Sequence, residues 1–346
     1  MVTDVPSTCY NRAAELLTLA RQACEPVLWE AVGSLPEPLR RMAGYHFGWW
    51  DVTGAPATGD PGKSLRAAIA IAASTASTAT GVRPAAAVHA AAAVELVHNF
   101  SLIHDDVMDA DPVRRGRATI WKLWGTADAI LLGEALHALA IPVLVAGMPK
   151  TVLDDALVRL TAAVIEMCRG QHEDCSFETR RTVSAEQYLR MAEGKTGALM
   201  GSASALGALC AGADELTVAA MDRFGRELGL AFQFADDLIG IWGDPAVTGK
   251  PAGNDLARRK RSLPVVAALA SRTEAAVELA QLYDSDIPMS PADVVRAMEL
   301  VEAAGGRRSA QQYADQKMTE AIGVLRDQRR ARDLIALADL VAHRNR

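Results

Sequence analysis

The sequence predicts an all-α protein. Alanine and leucine dominate its 346 residues, of which 50% are hydrophobic and only 5% aromatic. Apolar residues recur at helical spacing, and alternating runs of Val, Ile, Thr and aromatics, the mark of half-buried strands, are scarce. A chain this apolar is not disordered, and it is long enough to bury a sizeable core.

The elements follow in chain order. Ala14, Leu17, Ala20, Cys24 and Val27 fall near helical spacing and predict a helix over 11–32, with Pro26 able to kink or divide it and Pro36 and Pro38 ending it. Residues 51–62 (DVTGAPATGDPG) read as a loop. A long helix is expected from Pro84 to Met108, with proline in its first turn and Pro112 and Gly116 beyond its end. Further helical blocks are expected over 118–147, 151–177, 184–211, 213–241, 260–284, 290–304 and 308–344, about ten helices in all. Residues 243–254 (GDPAVTGKPAGN) form the second irregular stretch. The most apolar segment, Ala129 to Met148, is interrupted by Glu134 and His137 and reads as a buried helix rather than a membrane span. No shift of composition marks a boundary, so one domain over 1–346 is expected.

The 36 basic and 42 acidic residues leave a net charge of −6, which argues against a general nucleic-acid binder. Cys9, Cys24, Cys168, Cys175 and Cys210 are scattered and form no C-x-x-C pair, so a zinc centre is not expected. Their odd number, with no leader-like pattern at Met1, points to reduced thiols and a cytoplasmic protein without a transmembrane anchor.

The chemistry concentrates in two acidic segments. In NFSLIHDDVMDADPVRRG, Asp105 and Asp109 share a helix face one turn apart, and Asp106 lies within reach of Asp109. Three carboxylates in one turn repel unless a cation joins them, and Mg²⁺ typically couples a few carboxylates to substrate phosphates. Arg114 and Arg115 follow at once, and guanidinium suits phosphate oxygens. A solvated acidic helix end followed by a basic loop is the other reading. In FQFADDLIGIWGD, Asp236 and Asp237 interrupt an apolar stripe of Leu228, Phe232, Ala235 and Ile239. Buried charges are rare unless paired or metal-bound, so this pair is read as a metal site or as satisfied by nearby Arg or Lys. Two such sites on two apolar helices suggest one device: metal ions holding a diphosphate above an apolar, water-free cavity.

With these motifs in order, the sequence resembles the trans-polyprenyl diphosphate synthase family from about Gly62 to the C-terminal helix. The likeness rests on Gly62-Lys63-Ser64-Leu65-Arg66, on His98 seven residues before Asp105, on HDDVMDADPVRRG, on Gln171 in RGQHED, on Lys195-Thr196-Gly197, on Gln233 with Asp236 and Asp237, and on Lys250, Asp255 and Lys260 in GKPAGNDLARRKRSLP. It implies an isoprenoid synthase-type helical bundle around a central cavity, with a core over 62–346 and an N-terminal helix and loop over 1–61. It implies head-to-tail condensation of isopentenyl diphosphate with an allylic diphosphate. Lys63, Arg66, His98 and Arg115 would take the isopentenyl diphosphate; Arg114, Lys195, Thr196, Gln233, Lys250 and Lys260 would serve the allylic one. Asp105, Asp109 and Asp236 would hold Mg²⁺, about three ions, with Asp106 and Asp237 in support. A homodimer is implied in the same way.

Product length would depend on Phe100, a little over one helical turn before Asp105, with the small Ser101 beside it. Without the two-residue insertion that farnesyl diphosphate synthases of bacteria carry in the first motif, geranylgeranyl diphosphate (C20) is the expected product. Farnesyl diphosphate synthase and class I terpene cyclase are the alternatives. One departure stands out: the second motif's fifth-position aspartate is replaced by Gly240. Ser64 and Arg259 also replace more usual residues, and Tyr45 to Asp51 receive no chemical role beyond core packing.

Overall fold

A computed structural model describes residues 7–60, 62–78, 80–81, 83–245 and 251–343. The described residues are almost wholly helical: α1 (Ser7–Gly33), α2 (Leu39–His46), α3 (Leu65–Ser77), α4 (Ala86–Met108), α5 (Ile120–Trp124), α6 (Thr126–Gly147), α7 (Leu153–Phe177), α8 (Ala185–Ala192), α9 (Ala198–Cys210), α10 (Glu215–Trp242), α11 (Asn254–Ala257), α12 (Leu263–Ala270), α13 (Glu274–Tyr283), α14 (Pro291–Ala303), α15 (Gly306–Val324) and α16 (Arg332–Ala342). A two-stranded antiparallel hairpin, β1 (Val113–Arg114) and β2 (Arg117–Ala118), lies between α4 and α5.

The expected helices are present, with particular differences. Pro26 sits inside α1 without ending it. The sequence reading assigned no helix to 39–46 or 65–77, where α2 and α3 form. The block 184–211 is interrupted by a π-helical turn at Glu193–Gly197, and 118–147, 260–284 and 308–344 each divide in two, the first at Gly125. One division coincides with a polar cap: Thr273 accepts the Ala276 amide at the start of α13. Ser184 and Ser290 form capping boxes where the expected blocks 184–211 and 290–304 begin, ahead of α8 and α14.

The chain forms two compact units. The first comprises 1–164, 202–222 and 327–337; the second comprises 165–201, 223–326 and 338–346. In the first, α4 is the central element and packs on α6, α3 and α1. Its run Ala90 to Ala93 is fully buried, and these small side chains let neighbouring backbones come close. Arg12 of α1 makes a bidentate pair with Asp333 in α16, at 3.0 and 2.9 Å. In the second unit, Phe177, Tyr188, Met191, Leu230, Phe234 and Leu263 form one apolar cluster, and α13 packs with α14 and α12 around another that holds Ile241, Leu279 and Leu300.

Helices α4 and α6 are long and apolar enough to cross a membrane by length and composition alone. In α4, two thirds of the apolar window is buried inside the protein (67%); in α6 the share is 39%. The expectation of a buried helix at 129–148 therefore holds for one face of α6 only. Its other face leaves Ile130, Leu131 and Val145 exposed.

Candidate active site

The first unit carries the first acidic motif. Asp105 and Asp106 end α4, and Asp109 follows as its C-cap. Asp105 and Asp109 are half-buried, whereas Asp106 is buried. Arg114 reaches back from β1 and donates to Asp106 through Nε and Nη2, both at 2.7 Å. Burial pushes the Asp106 carboxyl up to about 6, and the Arg114 charge pulls against that rise. The hairpin explains how two successive arginines point to different partners. Arg115 and Gly116 form its two-residue turn, with φ of 52° and 72°, the positive-φ pattern that tight hairpins require. The Arg115 guanidinium packs against Gly62, where a Cβ would lie 2.5 Å from Nη2. Its Nη1 is buried without a hydrogen-bond partner among the described residues.

Arg66, in the first turn of α3, approaches His98 of α4, with Nη1 3.2 Å from Nε2. Arginine has only donors, so Nε2 accepts and the neutral ring carries its proton on Nδ1. Burial, with Arg66 and Arg115 nearby, drives the His98 pKa well below its ordinary value. Arg66, Arg114 and Arg115 thus form one cationic cluster beside the first acidic motif, with the neutral His98 ring among them. Lys63 is exposed just ahead of α3.

Three residues at this cluster had no role in the sequence reading. His46, ending α2, lies 3.0 Å from Asn99 Oδ1. Asn99 Nδ2 donates to the Glu95 carbonyl at 2.8 Å, so Oδ1 is the acceptor and His46 Nε2 the donor. Burial and the charges of Arg115 and Arg114 hold His46 down at about 3. Glu95 is 7% exposed and accepts the Ala67 amide at 3.1 Å. The stretch from Tyr45 to Trp50 clasps the hairpin: the Tyr45 hydroxyl donates to Ala118 O, and Arg117 donates to the carbonyls of Tyr45 and Trp50. A cavity of about 20 Å³, room for one water, lies among Tyr45, His46, Asp60, Asp106, Arg114 and Arg115. The sequence held a usable signal at Glu95, a single carboxylate in AAAAVELVH one turn before His98. Reasoning that isolates Asp236 and Asp237 in an apolar helix applies equally to it.

Phe100 is buried one turn below the acidic end of α4. Its ring meets His104 edge-on and lies nearly parallel to His137 of α6, both with centroids 5.1 Å away. The Ser101 hydroxyl is bonded to its own helix at His98 O.

The second unit carries the second motif on α10. Asp237 is buried and accepts from the Tyr188 hydroxyl, from the Leu263 amide at 2.8 Å and from Gln233 Nε2 at 3.1 Å. Burial lifts its carboxyl to about 7, opposed by those three donors. Thr196 donates to Gln233 Oε1 at 2.7 Å, so Thr196, Gln233, Asp237 and Tyr188 form one hydrogen-bonded chain. Lys195 donates to Asp174 at 2.5 Å. Lys195 and Thr196 sit on the π-helical turn, a local expansion often found at functional sites. Glycines wedge it in place: a Cβ on Gly170 would lie 2.2 Å from Lys195 N, and one on Gly229 would lie 2.8 Å from Gly197 Cα. Asp236 and Lys260 are half-buried, and Lys250 lies outside the described residues. Gln171 is buried on α7, with Nε2 3.6 Å from Cys175 Sγ and Oε1 unpartnered among the described residues.

Gly240 follows Asp236 by one turn, and the space a side chain there would occupy is filled from α11. A Cβ on Gly240 would lie 2.1 Å from Asp255 Oδ2 and 2.6 Å from its Cγ. Where the family pattern has a fifth-position aspartate, this chain brings a carboxylate from another segment.

Among the described residues, no three His, Cys, Asp or Glu side chains form a ready metal cage. The donor set nonetheless suits Mg²⁺. It consists of carboxylate oxygens in small groups beside cationic residues, and Mg²⁺ is usually held by one or two carboxylates and completed by substrate phosphates and water.

The Polyprenyl synthetase family matches residues 55–301. The chain belongs to that family. It is 54% identical over 329 residues to geranylgeranyl diphosphate synthase of Mycobacterium tuberculosis, covering 95% of this chain and 93% of the relative. It is 40% identical over 318 residues to (2E,6E)-farnesyl diphosphate synthase of Mycobacterium bovis, covering 91% and 88%. The crystal structure of a polyprenyl synthetase from Streptomyces coelicolor A3(2) superposes with a TM-score of 0.89 at 45% identity, covering 94% of this chain and 98% of that one. The fold is the all-α isoprenoid-synthase bundle, and the chain is a prenyltransferase whose family reaction is Mg²⁺-dependent head-to-tail prenyl transfer.

Proposed function

We propose that this polyprenyl synthetase family member condenses isopentenyl diphosphate with an allylic diphosphate to give geranylgeranyl diphosphate. The observation that carries the reading is the cluster of three guanidiniums, Arg66, Arg114 and Arg115, around the neutral His98 ring. It provides more positive groups at the first acidic motif than one leaving diphosphate needs, which supports a second diphosphate site there. Lys63, Arg66, His98 and Arg115 hold isopentenyl diphosphate with its double bond toward the reacting carbon. Arg114, Lys195, Thr196, Gln233, Lys250 and Lys260 serve the allylic diphosphate, and the cations among them neutralise it as the C–O bond breaks. Asp105, Asp109 and Asp236, supported by Asp106 and Asp237, would hold about three Mg²⁺, which when bound draw charge from the leaving diphosphate. The buried ring of Phe100, backed by His137, ends the space available to the growing chain. The residues of 1–346 act as one polyprenyl synthase domain.

The higher identity to a geranylgeranyl than to a farnesyl diphosphate synthase supports the C20 product. The apolar outer face of α6, with Ile130, Leu131 and Val145 exposed, supports assembly as a homodimer. The test is a product assay with Mg²⁺, isopentenyl diphosphate and each allylic primer (C5, C10 and C15), with dephosphorylated products separated by length. A C20 alcohol is expected. A C15 alcohol overturns the product assignment, and hydrocarbon formed from an allylic diphosphate alone overturns elongation in favour of cyclisation.

A further inference from the structure

The homoallylic cluster contains an acidic side chain, the wrong kind of group for a diphosphate site. Glu95 is buried on α4, one turn before His98, among fully buried Ala, Val and Leu residues. Its Oε1 accepts the amide of Ala67, the third residue of α3. Ser64, at the N-cap of α3, is left-handed (φ 51°) and gives no side-chain cap, so Glu95 supplies the cap from the neighbouring helix. Capping alone needs only an oxygen acceptor, and a neutral side chain would provide one. Burial pushes the Glu95 carboxyl up, and the charge of Arg66, the Ala67 amide and the charge of Arg115 pull it back toward the anion. Arg66 and Arg115 are the two guanidiniums assigned to isopentenyl diphosphate. Arg66 rests on His98 and Arg115 on Gly62, at the start of the same element that Glu95 caps.

The chemistry of the reaction gives that opposing charge a use. The new carbon–carbon bond joins C1 of the allylic unit to C4 of isopentenyl diphosphate. The allylic C–O bond breaks, its electron pair leaves with pyrophosphate, and a proton departs from C2 of the isopentenyl unit. The diphosphate that remains on the product is therefore the one held at the homoallylic cluster. A cluster that grips it too tightly holds the product after each turnover.

We propose that Glu95 is a buried counter-charge that weakens the grip of Arg66 and Arg115 on this diphosphate, so that the elongated product leaves. The inference rests on the assignment of this cluster to isopentenyl diphosphate. In Glu95→Gln the amide carbonyl still accepts from Ala67, so the cap is kept and only the charge is removed. Removing a negative charge close to a bound diphosphate tightens its binding by about tenfold. Titration calorimetry with isopentenyl diphosphate alone should show that tightening. Steady-state assays should show a lower KM for isopentenyl diphosphate, an unchanged KM for the allylic substrate, a lower kcat and a burst of the first product. Glu95→Asp keeps the charge and shortens the reach to Ala67; it should lower the melting temperature while leaving the affinity for isopentenyl diphosphate near wild type. An affinity in Glu95→Gln that is unchanged or weaker overturns the inference, as does tighter binding without a fall in kcat. If Glu95→Gln does not fold, weakened isopentenyl diphosphate binding in Glu95→Asp overturns it. If the wild-type protein fails to bind isopentenyl diphosphate at all, the assignment of the cluster fails instead.

Discussion

Restoring the family's aspartate at position 240 should damage this protein. The Cβ of any residue there falls 2.1 Å from Asp255 Oδ2, well inside contact distance, so Asp255 must swing away. Both positions are half-buried, and the new carboxylate would then face the displaced one at about 5 Å, a repulsion of about 2–3 kcal/mol at an effective dielectric constant of about 20–40. Against this, replacing glycine within α10 recovers only about 0.3–0.5 kcal/mol of helix propensity. Gly240→Asp should therefore lose about 2 kcal/mol of stability. Differential scanning calorimetry without divalent ions would read this as a lower melting temperature. Gly240→Asp with Asp255→Ala should recover most of the loss, because the space and the charge are then taken once. A Gly240→Asp protein as stable as wild type would refute the reasoning. So would a double variant no more stable than the sum of the single changes, since the two sites would then be uncoupled.

Three further outcomes are expected. His46 is held near 3 in the folded protein against 6.5 when unperturbed, so the unfolded chain binds its proton first as pH falls; the stability tied to this histidine is intact above pH 6.5 and lost toward pH 3, at a slope of up to about 1.4 kcal/mol per pH unit. Relative to His46→Gln, the wild-type melting temperature should drop faster between pH 6.5 and 4, and parallel curves would sink this account. Tyr188→Phe removes one of three donors from buried Asp237 and should cost about 1.5–3 kcal/mol, read as a lower denaturation midpoint; no change would mean the hydroxyl contributes nothing there. Phe100→Ala removes the ring that His137 backs and should lengthen the products beyond C20, whereas an unchanged product distribution would place the chain-length limit elsewhere.

Much of the helical layout was legible because apolar spacing and proline positions report it directly. What escaped was set by contacts between segments distant in sequence. Short α2 and α3 lack the length that makes periodicity persuasive, and α3 reads as an alanine-rich run with no capping residue, its cap coming from Glu95 on another helix. The π-helical turn at Lys195 depends on glycines of α7 and α10, which no local pattern near Lys195 announces. Among the site residues, the pairing of Arg66 with His98 and the chain from Thr196 to Asp237 join residues the sequence had named. Tyr188 and His46 were invisible as site residues because one tyrosine and one histidine in apolar surroundings carry no distinguishing context until their partners are known. The sequence shows Gly240 only as a missing carboxylate, and the fold places Asp255 in that space.

The hairpin turn at Arg115 places a large cationic side chain on a left-handed backbone, where asparagine or glycine rests more easily. Position 115 is therefore pulled two ways. Under directed evolution for heat resistance alone, Asn and Gly would be enriched there, each relieving the turn. Under selection for turnover, the proposed contact of Arg115 with isopentenyl diphosphate would bring arginine back. Libraries built on this scaffold for thermostability should hold position 115 fixed, since it is where the gain in robustness is cheapest to reach and most costly to keep.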